Sequence, residues 1–330
     1  MTIKEIAKMA GVSTAAVSRY FNNGYISDEK REAIRKVVEK TGYYPSMQAQ
    51  TLRTRRTNLI GVIIPRIDSS SIARVVAGIM EVADANDYQL LLANTMNNPK
   101  KELEYLSVFR DKQVDGVILV GTLFTDEHKS VLKAMEVPIV IIGQKVEGYN
   151  SVYHDDYHAE YDITKLLIEK GRKKLVYLGV TEADKAVGLN RYKGYKEAVC
   201  DAGLDELCDR RVIGKFNSMD GYDSMKKAFE QFDDIDAVVA ATDTIASGAM
   251  KFLHEKGVRI PEDVMIVGQG DSQLAQVLIP ELTTVRYFYE ESGRNATDIL
   301  IDNLRDTAED RPVRMVKLGY DLIDRASTQV

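Results

Sequence analysis

Cysteine is nearly absent. The chain has two among 330 residues, Cys200 and Cys208, too few for a disulfide framework, and neither belongs to a CxxC pair that would suggest zinc or thiol redox chemistry. A reducing compartment is expected. No apolar run reaches the roughly eighteen residues of a membrane span, and the opening MTIKEIAKMAGVS has no apolar stretch of signal-peptide type. The expected location is therefore cytoplasmic, with no membrane partner. Enzyme signatures are missing as well. Val267-Gly268-Gln269-Gly270 offers Gly-x-Gly without a third glycine and comes late in the chain, and neither a P-loop nor a GxSxG elbow occurs. His154 and His158 stand four apart, yet His154 precedes the expected helix start, where Asp155 and Asp156 serve equally well as N-caps. No catalytic residue, metal or cofactor is expected.

What is present is an ordinary globular composition, 45% hydrophobic and 28% charged, in a length that suits two or three folding units. The net charge of −6 conceals an asymmetry. Residues 1–60 hold 11 Lys/Arg against 5 Asp/Glu, and the remaining 270 hold 33 against 45, so a basic head precedes an acidic body. A cationic head suits a polyanion, because each phosphate contact releases condensed counterions.

Thr2 and Glu5 make a capping box, and Ile3, Ile6, Ala7 and Ala10 recur at i, i+3, i+4 and i+7, so a short amphipathic helix starts at once and ends at Gly11. Ser13 offers an N-cap for a second helix, Thr14 to about Asn22, buried through Ala16, Val17 and Tyr20 or Phe21. Two short helices with a glycine turn between them predict a helix-turn-helix. The open side of the second carries Thr14, Ala15, Ser18, Arg19 and Asn22, with no acidic residue, and so fits against a duplex. Arg19 suits guanine O6 and N7, Thr14 and Ala15 suit a thymine methyl, and Ser13, Ser18 and Asn22 suit phosphates; a merely solvated polar face is the alternative. Ser27 caps a third helix, Asp28 to Lys40, whose Ala33, Ile34, Val37 and Val38 close a small core before Gly42 stops it. From Ser46 to Arg56 the chain has helix formers but almost no apolar stripe, too little to be helical alone in water. Beside DNA, Arg53, Arg55 and Arg56 would hold this stretch down while Leu52 wedges between base steps in the minor groove; a basic linker is the plainer reading.

From Asn58 onward short β-branched runs alternate with helical segments. Leu59–Ile64, Gln89–Ala93, Gly116–Val120, Ile139–Ile142, Leu175–Leu178, Ala237–Ala240 and Met265–Val267 read as buried parallel strands. Helices are expected between them at Ile72–Asn86, Lys100–Lys112, Asp156–Lys170, Arg191–Ala202, Ser218–Phe232 and Ile245–Lys256. This is a doubly wound α/β pattern, long enough for two similar halves, with ligands expected at the carboxyl ends of the strands. The loops there hold Ser69, Ser70 and Ser71, Gln144, Arg191, Phe216, Thr242-Asp243, Asp271 and Tyr287-Phe288-Tyr289. Amides, carboxylates and a guanidinium take paired hydroxyls, and aromatic faces cover a sugar ring. The plainer alternative is structural: Asp243 and Asp271 cap helices, and the tyrosines pack in a crossover.

The chain resembles the LacI/GalR family of bacterial transcriptional regulators along its whole length. The carriers are T-I-K-E-I-A-x-x-A-G-V-S-x-x-x-V-S-R at the start, Y-x-P-x-x-x-A-Q-x-L from Tyr43, I-G-V from Ile60, and I-P-x-L-T-T-V at 279–285. The resemblance implies a three-helix head with a hinge helix at 45–55, together residues 1–57. Residues 58–330 would then be a periplasmic-binding-protein-like body of two α/β subdomains that binds an effector and dimerises. It implies an operator-binding dimer whose hinge residues, Pro45 to Arg53, bring Leu52 to the centre of a palindrome. Thr14, Ala15 and Arg19 match base-reading positions, and Ser13, Ser18 and Asn22 match phosphate contacts. In the body, Arg191 matches an effector-contacting arginine, Phe216 an aromatic platform, and Ser71, Ile72 and Tyr289 pocket walls. Polar contacts found in a galactoside-binding member are replaced here by Gly143, Thr242 and Gly270. A galactoside is therefore not expected, and the wider space suits a larger sugar such as a disaccharide, with Gln144, Gln269 or Asp271 supplying contacts. The chain ends at Val330 without a leucine heptad, so a dimer is expected over a tetramer. The expectation is a sugar-responsive repressor, with induction and corepression both open. The other readings are a solute-binding protein of the periplasmic type, weakened by the missing export signal and the basic head, and an α/β sugar enzyme, weakened by the missing nucleophile.

Overall fold

Residues 1–22, 24–43, 56–111, 114–306 and 312–329 are described by a computed structural model of the chain, which divides into two units, Met1–Thr57 and Asn58–Val330. In the first, helices α1 (Ile3–Met9), α2 (Thr14–Phe21) and α3 (Asp28–Thr41) follow the expected pattern. Thr2 and Glu5 cap α1 reciprocally, the Glu5 carboxylate accepting the Thr2 N–H at 2.7 Å. Ser13 Oγ accepts the Ala16 N–H at 3.2 Å and caps α2. Ser27 occupies the N-cap position of α3, but its side chain makes no capping bond; Asp28 and Glu29 in the first turn face the helix dipole instead. Ile6, Val17 and Ile34, one from each helix, are fully buried and meet in a core with Ala7, Ala16, Ile26 and Tyr43. The expected hinge at 45–55, with Leu52, Arg53 and Arg55, lies outside the described residues.

The second unit holds two six-stranded sheets. One runs β11-β5-β4-β3-β1-β2 and is parallel throughout, built from β1 (Leu59–Ile64), β2 (Gln89–Asn94), β3 (Gly116–Val120), β4 (Ile139–Ile142), β5 (Asn150–His154) and β11 (Met315–Leu318). The other runs β12-β10-β9-β8-β6-β7, from β6 (Leu175–Gly179), β7 (Arg211–Ile213), β8 (Ala237–Ala240), β9 (Met265–Gln269), β10 (Thr283–Tyr287) and β12 (Tyr320–Ile323). Only its β10–β12 pair is antiparallel. Strands β3, β4, β6, β8 and β9 are buried at every residue, because helices cover both faces, and this is why they appear as continuous apolar runs. The five strands not foreseen are β5, β7, β10, β11 and β12. β10 hides its first residues as hydrogen-bonded polar groups, Thr283 Oγ1 lying 2.7 Å from Thr328 Oγ1 and Thr284 Oγ1 donating to Asp243 at 2.5 Å.

The chain passes between the sheets along helix Asp156–Glu169 after β5, along helix Tyr289–Arg305 after β10, and through Gly319 between β11 and β12. Helix Tyr289–Arg305 crosses helix Ser70–Ala85 at two glycines. A Cβ on Gly78 would lie 2.0 Å from the Glu290 carbonyl oxygen, and one on Gly293 would lie 2.2 Å from that of Val75, so the backbones themselves are in contact.

Candidate ligand cleft and nucleic-acid interface

On α2 the side chains of Thr14, Ala15, Arg19 and Asn22 are exposed, as is Ser13 before it, while Ser18 is half-buried. Burial of Ala16 and Val17 against α1 and α3 turns this polar face outward. Asn22 Nδ2 donates to the Ser18 carbonyl oxygen at 2.5 Å, which fixes the end of the helix. The face has the size, polarity and absence of acidic groups that a major groove requires.

Loops at the carboxyl ends of β1, β8 and β9 surround a cavity of about 380 Å³ between the two halves of the second unit. Of the expected ligand residues, Ser71, Ile72, Arg191, Phe216, Thr242, Asp243 and Tyr289 all line it. Arg191 opens helix Arg191–Asp201, directly after a π-helical turn, Lys185–Asn190. Its guanidinium is buried, donates to Asp156 Oδ1 at 2.7 and 2.8 Å and to the Ala241 carbonyl oxygen at 2.5 Å, and rests 4.9 Å from the centre of the Tyr287 ring. Asp243 Oδ2 accepts the N–H and hydroxyl of Ser272, both at 2.8 Å. Asp243 is thus a buried anchor at the cavity edge, and burial pushes its carboxyl above the usual range. Asp184 accepts the Ala186 and Val187 N–H groups at 3.0 Å, which caps the π-helical turn, and burial pushes its carboxyl up to about 6.

Two arginines bridge the halves. Arg66, held by Asp68 at 2.8 and 2.9 Å, donates from Nη1 to the Phe216 carbonyl oxygen at 2.5 Å. Arg74 donates from Nη2 to the Gly270 carbonyl oxygen at 2.5 Å and lies over the Tyr289 ring at 4.8 Å. Gln269, also expected as a contact, lines the cavity; its Oε1 accepts from the Tyr287 hydroxyl and its Nε2 donates to Glu160 Oε2. Glu160 is fully buried, and loss of hydration pushes its carboxyl up to about 8.

Two expected ligand contacts sit elsewhere. Gln144 is not in the cavity wall; its amide donates to the Thr122 carbonyl oxygen at 2.5 Å and to that of Gly121 at 3.4 Å, tying two strand ends together. Asp271 is clamped by Arg325 at 2.6 Å and Arg286 at 2.7 Å, and it too is outside the wall. The histidine pair does not gather: His154 packs on the rings of Tyr287 and Tyr289 at 5.1 and 5.2 Å, while His158 is exposed and bonded to Asp155. Of the cysteines, Cys208 is buried and Cys200, on helix Arg191–Asp201, is half-buried. Arg66, Arg74, Asp184, Ser272 and Gln273 line the cavity without having been singled out. The two arginines bracket the serine run 69–71, a signal visible in sequence, but their acceptors are carbonyls 150 and 196 positions away.

Residues 2–46 match the family described as bacterial regulatory proteins, lacI family, and residues 164–328 match the periplasmic binding protein-like domain. The sucrose operon repressor of Staphylococcus xylosus is 35% identical over 90% of this chain and 92% of its own length. This chain belongs to the lacI family. The transcriptional regulator RegA of Clostridium saccharobutylicum, 31% identical over 99% of both chains, is another relative. Among solved structures, the CelR–cellobiose complex superposes with a TM-score of 0.75 at 27% identity, covering 99% of each chain. The lac repressor dimer bound to operator reaches 0.90 at 22% identity and shares the fold. As a lacI-family member the protein is a DNA-binding transcriptional regulator, not an enzyme. Among its described residues no helix is long and apolar enough to cross a membrane.

Proposed function

We propose that this lacI-family regulator is a homodimeric repressor of a sugar-utilisation operon, binding a palindromic operator through α2 and a neutral sugar, up to a disaccharide in size, through the cleft. The observation that carries the ligand class is the cavity wall. Of its charged side chains, Arg191 is paired with Asp156 and Arg66 with Asp68, while Arg74, Asp243 and Asp184 are held by neutral groups, the Gly270 carbonyl, Ser272 and the backbone N–H groups of a helix cap; Ser69, Ser71, Thr242 and Ser272 offer hydroxyls and Phe216 and Tyr289 offer ring faces. Such a wall suits paired hydroxyls on an uncharged ring better than it suits an ion. The S. xylosus sucrose operon repressor and the cellobiose complex of CelR agree with that class.

Coupling follows from linkage. A sugar that prefers one arrangement of the two halves changes operator affinity by the ratio of its affinities for the two arrangements. The test is a gel shift on the promoter beside the protein's own gene, repeated with sucrose, cellobiose and their constituent monosaccharides. A salt-sensitive shift of an inverted repeat, altered by at least one sugar, is the expected result. Absence of any sequence preference, with or without sugar, overturns the reading.

A further inference from the structure

Cys200 and Cys208 stand eight positions apart, a spacing that no zinc or redox motif announces, yet the fold brings them together. Helix Arg191–Asp201 ends in a reversal at Gly203, where a φ of 70° suits glycine, and the Gly203 N–H donates back to the Cys200 carbonyl oxygen at 2.9 Å. A single 3₁₀ turn, Asp205–Leu207, then returns the chain alongside the helix it has just left. The sulfurs of Cys200 and Cys208 and a carboxylate oxygen of Asp205 consequently lie within 4.8 Å of one another. Two tyrosines of the same helix hold the returning backbone: Tyr192 Oη donates to the Cys208 carbonyl oxygen at 2.9 Å, and Tyr195 Oη donates to that of Leu207 at 3.2 Å. Cys208 is buried, Cys200 half-buried and Asp205 exposed, so solvent reaches the cluster from the Asp205 side. The surroundings are negative. Residues 201–209 carry four acidic side chains, Asp201, Asp205, Glu206 and Asp209, and no lysine or arginine. The two arginines that follow are paired elsewhere, Arg210 with Asp234 at 3.0 Å and Arg211 with Glu182 at 2.5 Å.

We propose that Cys200, Asp205 and Cys208 form a binding site for one zinc ion, with water as the fourth ligand. The donor set selects the metal: two thiolates exclude the hard cations magnesium and calcium, which take oxygen alone, and a mixed sulfur and oxygen set suits tetrahedral zinc. The dimensions agree. Zinc–sulfur bonds of about 2.3 Å and zinc–oxygen bonds of about 2.0 to 2.2 Å place tetrahedral ligand atoms about 3.5 to 3.8 Å apart. The cluster therefore closes on an ion by movements of about 1 Å, which rotation of the exposed Asp205 side chain and the half-buried Cys200 supplies. The two tyrosine hydroxyls fix the backbone that carries Cys208, as supporting hydrogen bonds do around metal ligands generally. A disulfide would need the two sulfurs alone; the carboxylate that joins them and the uncompensated negative loop favour a cation. The site lies at the end of helix Arg191–Asp201 remote from Arg191, and just before β7, whose far end leads to Phe216. An ion there ties together the two segments that present Arg191 and Phe216 to the cleft, and it does so from outside the cleft.

The experiment titrates the full chain, reduced and stripped of metal by a chelator, with cobalt(II) and then with zinc. Cobalt is followed by its thiolate-to-metal charge-transfer absorption, and zinc by displacement of cobalt and by competition with a chromogenic chelator. Because the chain has two cysteines, that absorption reports on this pair and on no other residue. The expected result is one equivalent of metal per chain with a charge-transfer band that zinc abolishes. Cys200→Ser and Cys208→Ser should each remove the two-sulfur site and its band. Asp205→Asn, at an exposed side chain where the fold is not at stake, should keep the band and weaken zinc by about tenfold or more. A parent chain without a thiolate band overturns the site. Zinc affinity that is unchanged in Cys200→Ser or in Asp205→Asn overturns it as well, since the ion would then rest on other ligands. So does a parent chain that forms a Cys200–Cys208 disulfide with glutathione disulfide at the same rate with and without zinc, which would make the pair a redox couple instead.

Discussion

Glu160→Gln isolates the cost of ionising a carboxyl that is wholly buried among neutral hydrogen-bond partners. The side chain is fully buried, accepts a hydrogen bond from Gln269 and lies 3.5 Å from Thr164 Oγ1, and its carboxyl is pushed up to about 8 from an ordinary 4.5. Between those two values the folded chain holds a proton that the unfolded chain has released. Folding therefore binds protons there, and stability must fall as pH rises from about 4.5 to about 8 and level off above. Each pKa unit corresponds to about 1.4 kcal/mol, so the loss relative to acid conditions is about 3 kcal/mol by pH 7 and about 4 kcal/mol by pH 8. Glutamine keeps the acceptor toward Gln269 and removes the titration. Urea unfolding followed by circular dichroism from pH 5 to pH 8 should show the stability of Glu160→Gln rising relative to the parent by about 3 to 4 kcal/mol across that interval. A difference between the two proteins that stays constant with pH would refute the argument, because it would mean that the carboxyl titrates alike in both states.

Three further outcomes are expected. Arg19→Ala should weaken binding to the preferred operator by about 1 to 3 kcal/mol and relax one base position, read by competition gel shifts against single-base variants; equal losses on every sequence would make Arg19 a phosphate contact instead. Asp271→Asn should lower stability by about 2 kcal/mol, because it discharges the clamp on Arg325 and Arg286, and should leave sugar affinity within about twofold, which calorimetry checks. Gly78→Ala should cost about 3 kcal/mol or more, since its Cβ meets backbone rather than a movable side chain; an unchanged melting temperature would mean the two helices separate freely.

The sequence was most informative where a segment's structure follows from its own residues. The Thr2–Glu5 capping box, the Ser13 cap and the stripe of Ile6, Val17 and Ile34 are local, and the head has the helices they predict. The central strands were legible for the same reason, being apolar on both faces, but Gln89–Ala93, read as buried by the same rule, is an edge strand that leaves Leu91 and Leu92 exposed. β10 was not, because Thr283 and Thr284 are buried by satisfying their hydroxyls with Thr328 and Asp243, partners that no local pattern reveals. The cleft divides in the same way. Loop position after a strand pointed to Ser71, Arg191, Phe216 and Asp243, which line the cavity. It also pointed to Asp271, whose carboxylate is taken by arginines 15 and 54 residues further along. Polar residue type shows that a side chain needs partners; only the fold shows whether a ligand or the protein provides them.

The acceptors of Arg66 and Arg74 are main-chain oxygens, at Phe216 and Gly270. Replacing the aromatic ring at 216 would alter what the far wall offers to a visitor without deleting the latch point there, whereas Gly270, at a φ of 131°, is held to glycine by its backbone. Recognition chemistry and the resistance to parting the two lobes can thus be tuned separately, the first from the far wall and the second from the segment bearing the guanidiniums. A regulator built this way can acquire a taste for a new carbohydrate while the threshold at which its lobes part stays where it was.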